Sequence, residues 1–532
     1  MKRFAALFHT LDGSTRSSHK RAALVAYFAS APARDAAHAV ATLCGQRPRR
    51  AVNATRLRQA AAQRTGLPLW LIEETYHHVG DLAETIALLL PEPDHPQSIP
   101  LHELLERRLP ALARADEAGQ IDQLCRLWSH LPADERLVFN KLLTGGFRVG
   151  VARQSVIHAL AAHLQVDAER IAARLMGRIE PDPGLMDRLG ADERPADSLA
   201  PYPFLLAHPA PESIQDLGDA TDYLAEWKWD GMRAQLVVRN GAVAIWSRGE
   251  DDVTPLFPEL RDAAATLADG TVLDGEILAW DARGVRPFGD LQRRLNRKRV
   301  STKLMADVPV RMLVYDLLED AGIDLRDQPL AMRRQRLQRR AVHLGEALRP
   351  SPLVEGRDWA TLQSAFRQAR ERGVEGLMLK HKTSRYSSGR PRGYWWKWKV
   401  EPYTVDCVLL YAQAGHGRRS NLYTDYTLGV WSGDALVPVA KAYSGLTDEE
   451  LSEMDRWIRR HTTERFGPVR AVEAGQVFEI AFEGLRPSSR HKSGIALRFP
   501  RIQRWRQDKS PEQADHLRAL QDLLQGAGSQ TP

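Results

Sequence analysis

Glu226-Trp227-Lys228-Trp229-Asp230-Gly231-Met232-Arg233 sets one lysine at the end of an apolar, aromatic-rich run, beside an acid, a glycine and an arginine. Lys228 reads as a nucleophile. A lysine attacks phosphorus through its ε-amine only when that amine is deprotonated, and an unperturbed pKa of roughly 10.4 leaves little free amine at neutral pH. A neighbouring cation or a bound metal must then depress the pKa. Asp230 is placed to orient the amine, Gly231 to let the chain turn sharply, and Arg233 to hold a phosphate or ribose. A solvated strand end followed by a turn would carry the same residues, so the flanking sequence decides.

Downstream, Ala234 to Val238 and Ala242 to Trp246 flank Asn240-Gly241, the signal of a β-hairpin. Ser247-Arg248-Gly249-Glu250 follows, then Val272-Leu273 leading into Asp274-Gly275-Glu276, a basic segment from Arg293 to Lys303, and a strand from Arg311 to Tyr315 ending in Asp316. The arginine-rich helix predicted from Ala331 to Arg340 reads as a solvated face. Gly373-Val-Glu375-Gly-Leu-Met-Leu-Lys380 and Trp395-Trp-Lys397-Trp-Lys399 close this region. Glu276 and Glu375 each stand beside a glycine at the edge of an apolar strand, where a carboxylate can leave the core and meet a metal. From 401 to about 510, short runs such as Val405 to Tyr411, Thr427 to Trp431 and Val477 to Ala481 predict a small β-barrel with a helix near Glu449 to Arg460.

Upstream, the first 180 or so residues predict helix after helix: Phe4, Leu7, Phe8 and Leu11 recur at helical spacing, and Leu24, Tyr27 and Phe28 begin another amphipathic pattern. One helix with Leu137, Val138 and Leu142 should end at Gly145-Gly146, and another should begin near Arg153 with Val156, Ile157 and Leu160 inward. Phe147-Arg148-Val149-Gly150 lies between them. Backbone N–H groups at such a turn can meet a phosphate, with Arg148 and Arg153 adding charge. A plain helix-loop-helix corner with solvated arginines reads equally well. His77 and His78, adjacent on a helix, point about 100° apart and so do not form a metal pair. Pro181 to Pro211 reads as a linker, which puts a domain boundary near residue 200.

The 532 residues call for about three domains. The excess of 74 basic over 67 acidic residues fits a polyanion partner without requiring one. Cys44, Cys125 and Cys407 are the three cysteines, too few for a disulfide framework or a four-cysteine zinc site, and a reducing cytoplasm is the expected home. No apolar run approaches the ~20 residues of a membrane span, and Phe4 to Phe8 is too short for a signal peptide.

Chemistry at phosphorus needs a nucleophile, a carboxylate-held metal, and cations to take up charge. Lys228, Glu276, Glu375, Lys397 and Lys399 supply all three. In order and spacing, Lys228-Trp-Asp-Gly, Ser247-Arg-Gly-Glu, Asp274-Gly-Glu276, Glu375-Gly, Lys397-Trp-Lys399 and Arg506-Gln-Asp508-Lys509 resemble the six motifs of the covalent nucleotidyltransferases, and within them those of the ATP-dependent DNA ligases. The resemblance covers nearly the whole chain. It implies a multidomain α+β protein: an all-α DNA-binding domain and linker (1–200), an α+β adenylation domain (201–400), and an oligonucleotide-binding (OB-fold) β-barrel with a tail (401–532).

Residue by residue, the resemblance assigns Glu226 to the adenine amino group, Arg233 and Arg248 to ribose or phosphate, and Tyr315 to stacking on the base. It makes Glu276 and Glu375 metal or ribose contacts, and Lys380, Lys397 and Lys399 phosphate contacts. Arg390 and Arg392 bracket the family's usual arginine before the fifth motif, and Arg392 is the expected nucleotide contact. Arg506 and Lys509 would act on ATP from the barrel. Arg148, Gly150 and Arg153 would meet the DNA backbone, and Phe288 and Phe499 match phenylalanines placed in the minor groove near the nick. Expected cofactors are ATP and Mg2+ or Mn2+. The expected partner is nicked double-stranded DNA, encircled by a monomer. The alternatives are an RNA ligase or capping-type nucleotidyltransferase, against which the large helical region speaks, and a non-catalytic DNA-binding scaffold, against which the intact motifs speak. Too few cysteines remain for the zinc module of an NAD-dependent ligase.

Overall fold

The periodic apolar residues near the N-terminus do form helices. Phe4, Leu7, Phe8 and Leu11 are the buried side of Lys2–Gly13, and Leu24, Tyr27 and Phe28 that of Ser17–Ser30. Helix Ala133–Thr144 ends on Gly145 in the left-handed conformation, and Arg153–Leu164 begins where expected, with Val156, Ile157 and Leu160 inward. The computed structural model describes the chain apart from residues 15, 47, 49, 94, 146, 148, 192–198, 416–421, 444, 490 and 530–532, and apart from the side chains of residues 77, 78, 342, 343 and 526–529. Arg148 and the side chains of His77 and His78 thus lie outside the described residues. No helix among those described is long and apolar enough to cross a membrane.

Two compact units result, and neither is a single run of chain. One joins Arg16–Gln46 to Ala152–Val400; the other joins Met1–Thr15 and Arg47–Val151 to Glu401–Pro532. The turnover from helices to strands near residue 200 is where composition placed it, but packing crosses that point. In the first unit Gly177 lies so close to the Trp246 ring that a Cβ would come within 2.7 Å of it. Arg153, on the helical side, forms an ion pair with Glu250 beyond the hairpin. The segment read as a linker is packed as well: Leu185 and Leu189 of helix Leu185–Gly190 are buried, as are Tyr202, Phe204 and Leu205. Its prolines interrupt any period, and an apolar stretch without a period looks like a linker.

The strand-rich part of this unit holds two sheets. The larger runs Ala242–Ser247, Met232–Arg239, Thr271–Asp281, Val310–Asp320, Ile323–Asp324, with Leu348–Pro350 parallel to the fourth of these. Asn240 and Gly241, with φ of 51° and 70°, make the predicted two-residue hairpin turn. Both faces are covered: Ala234, Leu236 and Val238 enter one core, while Val237 packs with Tyr202 and Leu205 on the other side. The smaller sheet runs His208–Pro209, Trp395–Lys399, Gly376–His381, Tyr223–Trp227. Lys228 begins the short connection from the smaller sheet to the larger. Gly231 closes that connection, where a Cβ would stand 2.5 Å from the Ile277 carbonyl oxygen.

In the C-terminal part of the other unit, strand Tyr403–Ala414 changes partners along its length. It pairs with Val477–Phe482 at one end, with Val469–Val472 at the other, and with Tyr423–Ser432 on its opposite edge, so the sheet curls. Register breaks after Leu409 and Gln413 help it bend. Helix Asp448–Arg460 carries a capping box at Thr447 and Glu450 and buries Leu451, Met454 and Ile458, close to the predicted position. The protein is thus a multidomain α+β chain with a helical N-terminal region and a curled β-sheet at its C-terminal end.

Candidate active site

Lys228 and Glu375 are set opposite each other by the backbone before their side chains meet. Lys228 N–H donates to the Gly376 carbonyl and Glu375 N–H to the Lys228 carbonyl, both at 2.8 Å, which extends the pairing of Tyr223–Trp227 with Gly376–His381. Gly376 has φ of 132°, and a Cβ there would come 2.0 Å from the Trp398 carbonyl oxygen, so only glycine fits the motif at this position. With the chains so fixed, Lys228 Nζ donates to Glu375 Oε2 at 2.5 Å. Lys399 Nζ stands 3.6 Å from the same oxygen. The fourth motif's glutamate therefore joins the nucleophile motif to the fifth.

Glu276 comes to this group from the larger sheet, in register with Arg233. Burial pushes its carboxyl up to about 8, against the lowering pull of Lys228 and Arg233, with Asp274 and Glu375 adding to the rise. Contrary to the expectation of a strand edge, Glu276 lies mid-strand in Thr271–Asp281. The strand survives its polar motif because the ladder is bulged there: Asp274 faces Asp316 and Gly275 faces Val314, leaving Tyr315 without a partner. A bulge re-aims the extra side chain. Tyr315 is turned into a cluster with Tyr386 and Trp395.

Arg233 braces the site from below. Its guanidinium donates to both Asp274 oxygens at 3.1 and 2.7 Å and to the Leu205 carbonyl at 2.7 Å, while Tyr386 Oη–H donates to Asp274 at 2.6 Å. The rings of Phe204, Trp395 and Tyr315 flank it with centroids 5.1–5.7 Å away. These protein partners occupy the arginine that was expected to hold ribose or phosphate. Asp274, fully buried, is a site residue the sequence reading did not single out.

Glu226 is buried with two cations on it. Arg334 donates to Oε1 at 2.9 Å and Lys380 Nζ to Oε2. Lys380, expected at a phosphate, instead lies buried with its Nζ 3.9 Å from the Tyr315 ring centroid and 4.5 Å from that of Trp395. Burial lowers its pKa, which Glu226 opposes. The arginine-rich helix, Leu330–Leu344, is not a solvated face: Arg333 and Arg334 are both buried, Arg333 in a bidentate pair with Asp316. Their sequence signal was present but weak. Both stand among five arginines of similar appearance in this helix, and only a buried carboxylate on another element distinguishes them.

The remaining cations gather on the nucleophile side. The Lys397 amine is lowered first by burial, then by the charges of Arg390, Lys228, Lys399 and Arg248. Arg390 is among the cations that press on Lys397. Such mutual repulsion is what a polyanion relieves. Arg248 is exposed, on the turn whose N–H meets the Arg233 carbonyl at 3.0 Å.

In the curled sheet, Arg506 Nη1 donates to Asp406 Oδ2 at 3.0 Å and Lys509 Nζ to the same oxygen at 2.5 Å. Asp508 also pairs with Arg506, which holds the Asp508 carboxyl well below the usual range. Phe499 is 66% exposed and has φ of 52°, rare for a bulky residue. In the other unit Phe288 is half-buried and packs on the core beneath helix Phe288–Leu295. Gly150 is exposed with φ of 58°. Arg153 Nη2 donates to the Leu175 carbonyl at 2.5 Å, and its guanidinium also pairs with Glu250.

The family models agree with this layout. The chain matches the ATP dependent DNA ligase domain over residues 204–399, the DNA ligase N terminus over 1–161, and the ATP dependent DNA ligase C terminal region over 419–509. It is 35% identical to "Probable DNA ligase" of Koribacter versatilis, across 84% of this chain and 82% of that one. It is 32% identical to "DNA ligase" of Natronomonas pharaonis, across 79% of this chain and 77% of that one. A likeness of fold, at 15% identity and a TM-score of 0.61, extends over 94% of this chain and 99% of the solved structure described as Pmar-Lig_PreS3. With three consecutive domain matches and relatives similar along most of their length, the chain belongs to the ATP-dependent DNA ligases, and is an enzyme of that class.

Proposed function

We propose that this ligase seals nicks in duplex DNA through a lysyl-AMP on Lys228, acting in the cytoplasm as a monomer that encircles its substrate. The observation carrying this reading is the meeting of Lys228 with Glu375 at 2.5 Å, within a field of Glu276, Lys397 and Lys399. Lys228 Nζ attacks the α-phosphorus of ATP; the N–P bond forms, the P–O bond to pyrophosphate breaks, and Glu375 Oε2 is placed to receive the amine proton. Arg248, Arg390, Lys397 and Lys399 hold the phosphate oxygens. The 5′-phosphate of the nick then takes AMP from Lys228, whose amine regains a proton. Finally the 3′-hydroxyl attacks that phosphate and expels AMP. Glu276 and Glu375 fit Mg2+ or Mn2+, since such ions bind through one or two carboxylates with phosphates and water completing the set. When bound, the ion supplies Lewis acidity at the phosphoryl oxygens. Exposed, strained Phe499 suits a minor-groove wedge.

Incubation with ATP labelled at the α-phosphate, then with nicked DNA, tests the reading. Label should appear on protein, pass to DNA and leave as AMP as the nick closes. Label that never leaves the protein in the presence of nicked DNA, but does with nicked RNA, would favour an RNA substrate.

Glu276→Gln is expected to stabilise the nucleotide-free protein while removing activity. The folded state keeps Glu276 protonated up to about 8, whereas the unfolded chain ionises at the ordinary glutamate value. The folded state thus binds more protons between the two, and stability is full below the lower value and falls as pH rises through that window. Glutamine is neutral throughout. The variant should therefore gain on wild type from about pH 5 to 8 and level off above, by about 1–2 kcal/mol once partial exposure is allowed for. Melting temperatures of both proteins across this range check it; a difference independent of pH would refute the burial of a neutral carboxyl.

A further inference from the structure

Glu226 is held by two cations of unequal freedom. Arg334 is fixed at several points: Nη1 meets Glu226 Oε1 at 2.9 Å and faces the Val314 and Tyr315 carbonyls at 3.4 and 3.5 Å, while Nη2 donates to the Ser351 carbonyl. A planar guanidinium with that many anchors cannot shift without breaking several hydrogen bonds together. Lys380 is a point charge on a flexible stem, bound to Oε2 and lying over the Tyr315 and Trp395 rings. A base cannot stack on the Tyr315 face that Lys380 covers unless the ammonium moves. Moving it uncovers Oε2.

We propose that Arg334 is a positioning residue for base selection, fixing Glu226 so that Oε2 accepts a hydrogen bond from the 6-amino group of adenine and cannot follow the donor of a 6-oxo purine. The inference rests on the reading that Glu226 and Tyr315 face the base. A carboxylate without a hydrogen is acceptor-only. Adenine offers a donor at position 6. Hypoxanthine offers a carbonyl oxygen there and moves its donor to N1, so a fixed Oε2 faces another oxygen, whereas a carboxylate free to swing could reach N1–H. Fixity of the carboxylate, more than its presence, would then reject the 6-oxo base. Sites built to pair a substrate donor discriminate strongly because the mismatch leaves a buried polar group unpaired.

The test compares ATP with ITP in self-adenylation of the full chain, taking the ratio of kcat/KM for wild type, Arg334→Lys, Arg334→Gln and Glu226→Gln. The ratio does not depend on the fraction of protein that folds. Both Arg334 variants should lower it by about tenfold or more, chiefly by improving relative use of ITP. Glu226→Gln, whose amide can donate to the 6-oxo group, should lower it further. If Glu226→Gln leaves the ratio at the wild-type value, the base does not lie against Glu226 and the reading beneath the inference fails. If Glu226→Gln collapses the ratio while both Arg334 variants keep it, that reading stands and the inference falls. Equal loss of labelling by both nucleotides in the Arg334 variants, including complete loss, would make Arg334 a structural support only.

Discussion

Lys228→Ala is expected to abolish covalent transfer of label from α-labelled ATP to the protein, a loss limited only by detection. The rival nucleophile is Lys397. Burial and four neighbouring cations lower its pKa, so its amine is more readily deprotonated than an ordinary lysine's. What favours Lys228 is position: the backbone bonds to Gly376 and Glu375 hold it at the connection of the two sheets, with Glu375 Oε2 at 2.5 Å to take its proton. Lys397 lacks any such described acceptor, and its place among the cations suits phosphate binding. Lys397→Ala should therefore label weakly yet measurably, and Lys228→Arg not at all, because a guanidinium is not deprotonated in proteins. Acid-stable labelling has to be excluded, since a phosphoramidate is acid-labile. Label persisting in Lys228→Ala and vanishing in Lys397→Ala would reverse the assignment.

The parts of this site that could be read from sequence were those whose side chains act at short range along the chain. Lys228, Gly231 and Arg233 share one segment, and the Asn240-Gly241 turn demands positive φ, which two residues announce by themselves. Apolar spacing likewise located the helices from Lys2–Gly13 to Arg153–Leu164. What could not be read was pairing across elements. Arg334 differs in no local respect from Arg336, yet the first is buried against Glu226 and the second reaches Asp320 from a half-exposed position. The bulge that leaves Tyr315 without a partner depends on the register of two strands, which neither strand contains alone. The resemblance gave Lys380 a phosphate contact; its pairing with Glu226 was not legible, because it follows from strand alternation and register, which set Lys380 on the Glu226 side, opposite Leu224 in the ladder. The discontinuous units follow from the same cause: contacts such as that of Gly177 with the Trp246 ring and the Arg153–Glu250 ion pair join residues before 200 to later ones, and composition reports only where the secondary structure changes.

Lys509→Ala is expected to lose most self-adenylation, by about tenfold to a hundredfold if it supplies one charge-assisted contact to the leaving group, while still sealing a nick that already carries 5′-AMP. Pyrophosphate leaves only if its developing charge is met by cations aligned with the attacking amine. Asp406 accepts from both Arg506 and Lys509, at 3.0 and 2.5 Å, and holds the two cations side by side just past the strand Arg501–Trp505. Asp508 then steers the Arg506 fork from its other edge. Once AMP is on Lys228 no pyrophosphate remains to stabilise. The requirement for Lys509 should end with the first step. Single-turnover assays of both reactions, on the same preparation, decide the matter. Undiminished adenylation would remove Lys509 from the first step. An equal loss in both reactions would mean that freeing Asp406 from its lysine had disturbed the sheet itself; Lys509→Arg, which keeps the ion pair, should then restore both together, whereas a leaving-group role predicts that arginine rescues adenylation only in part because its fork spans a different reach.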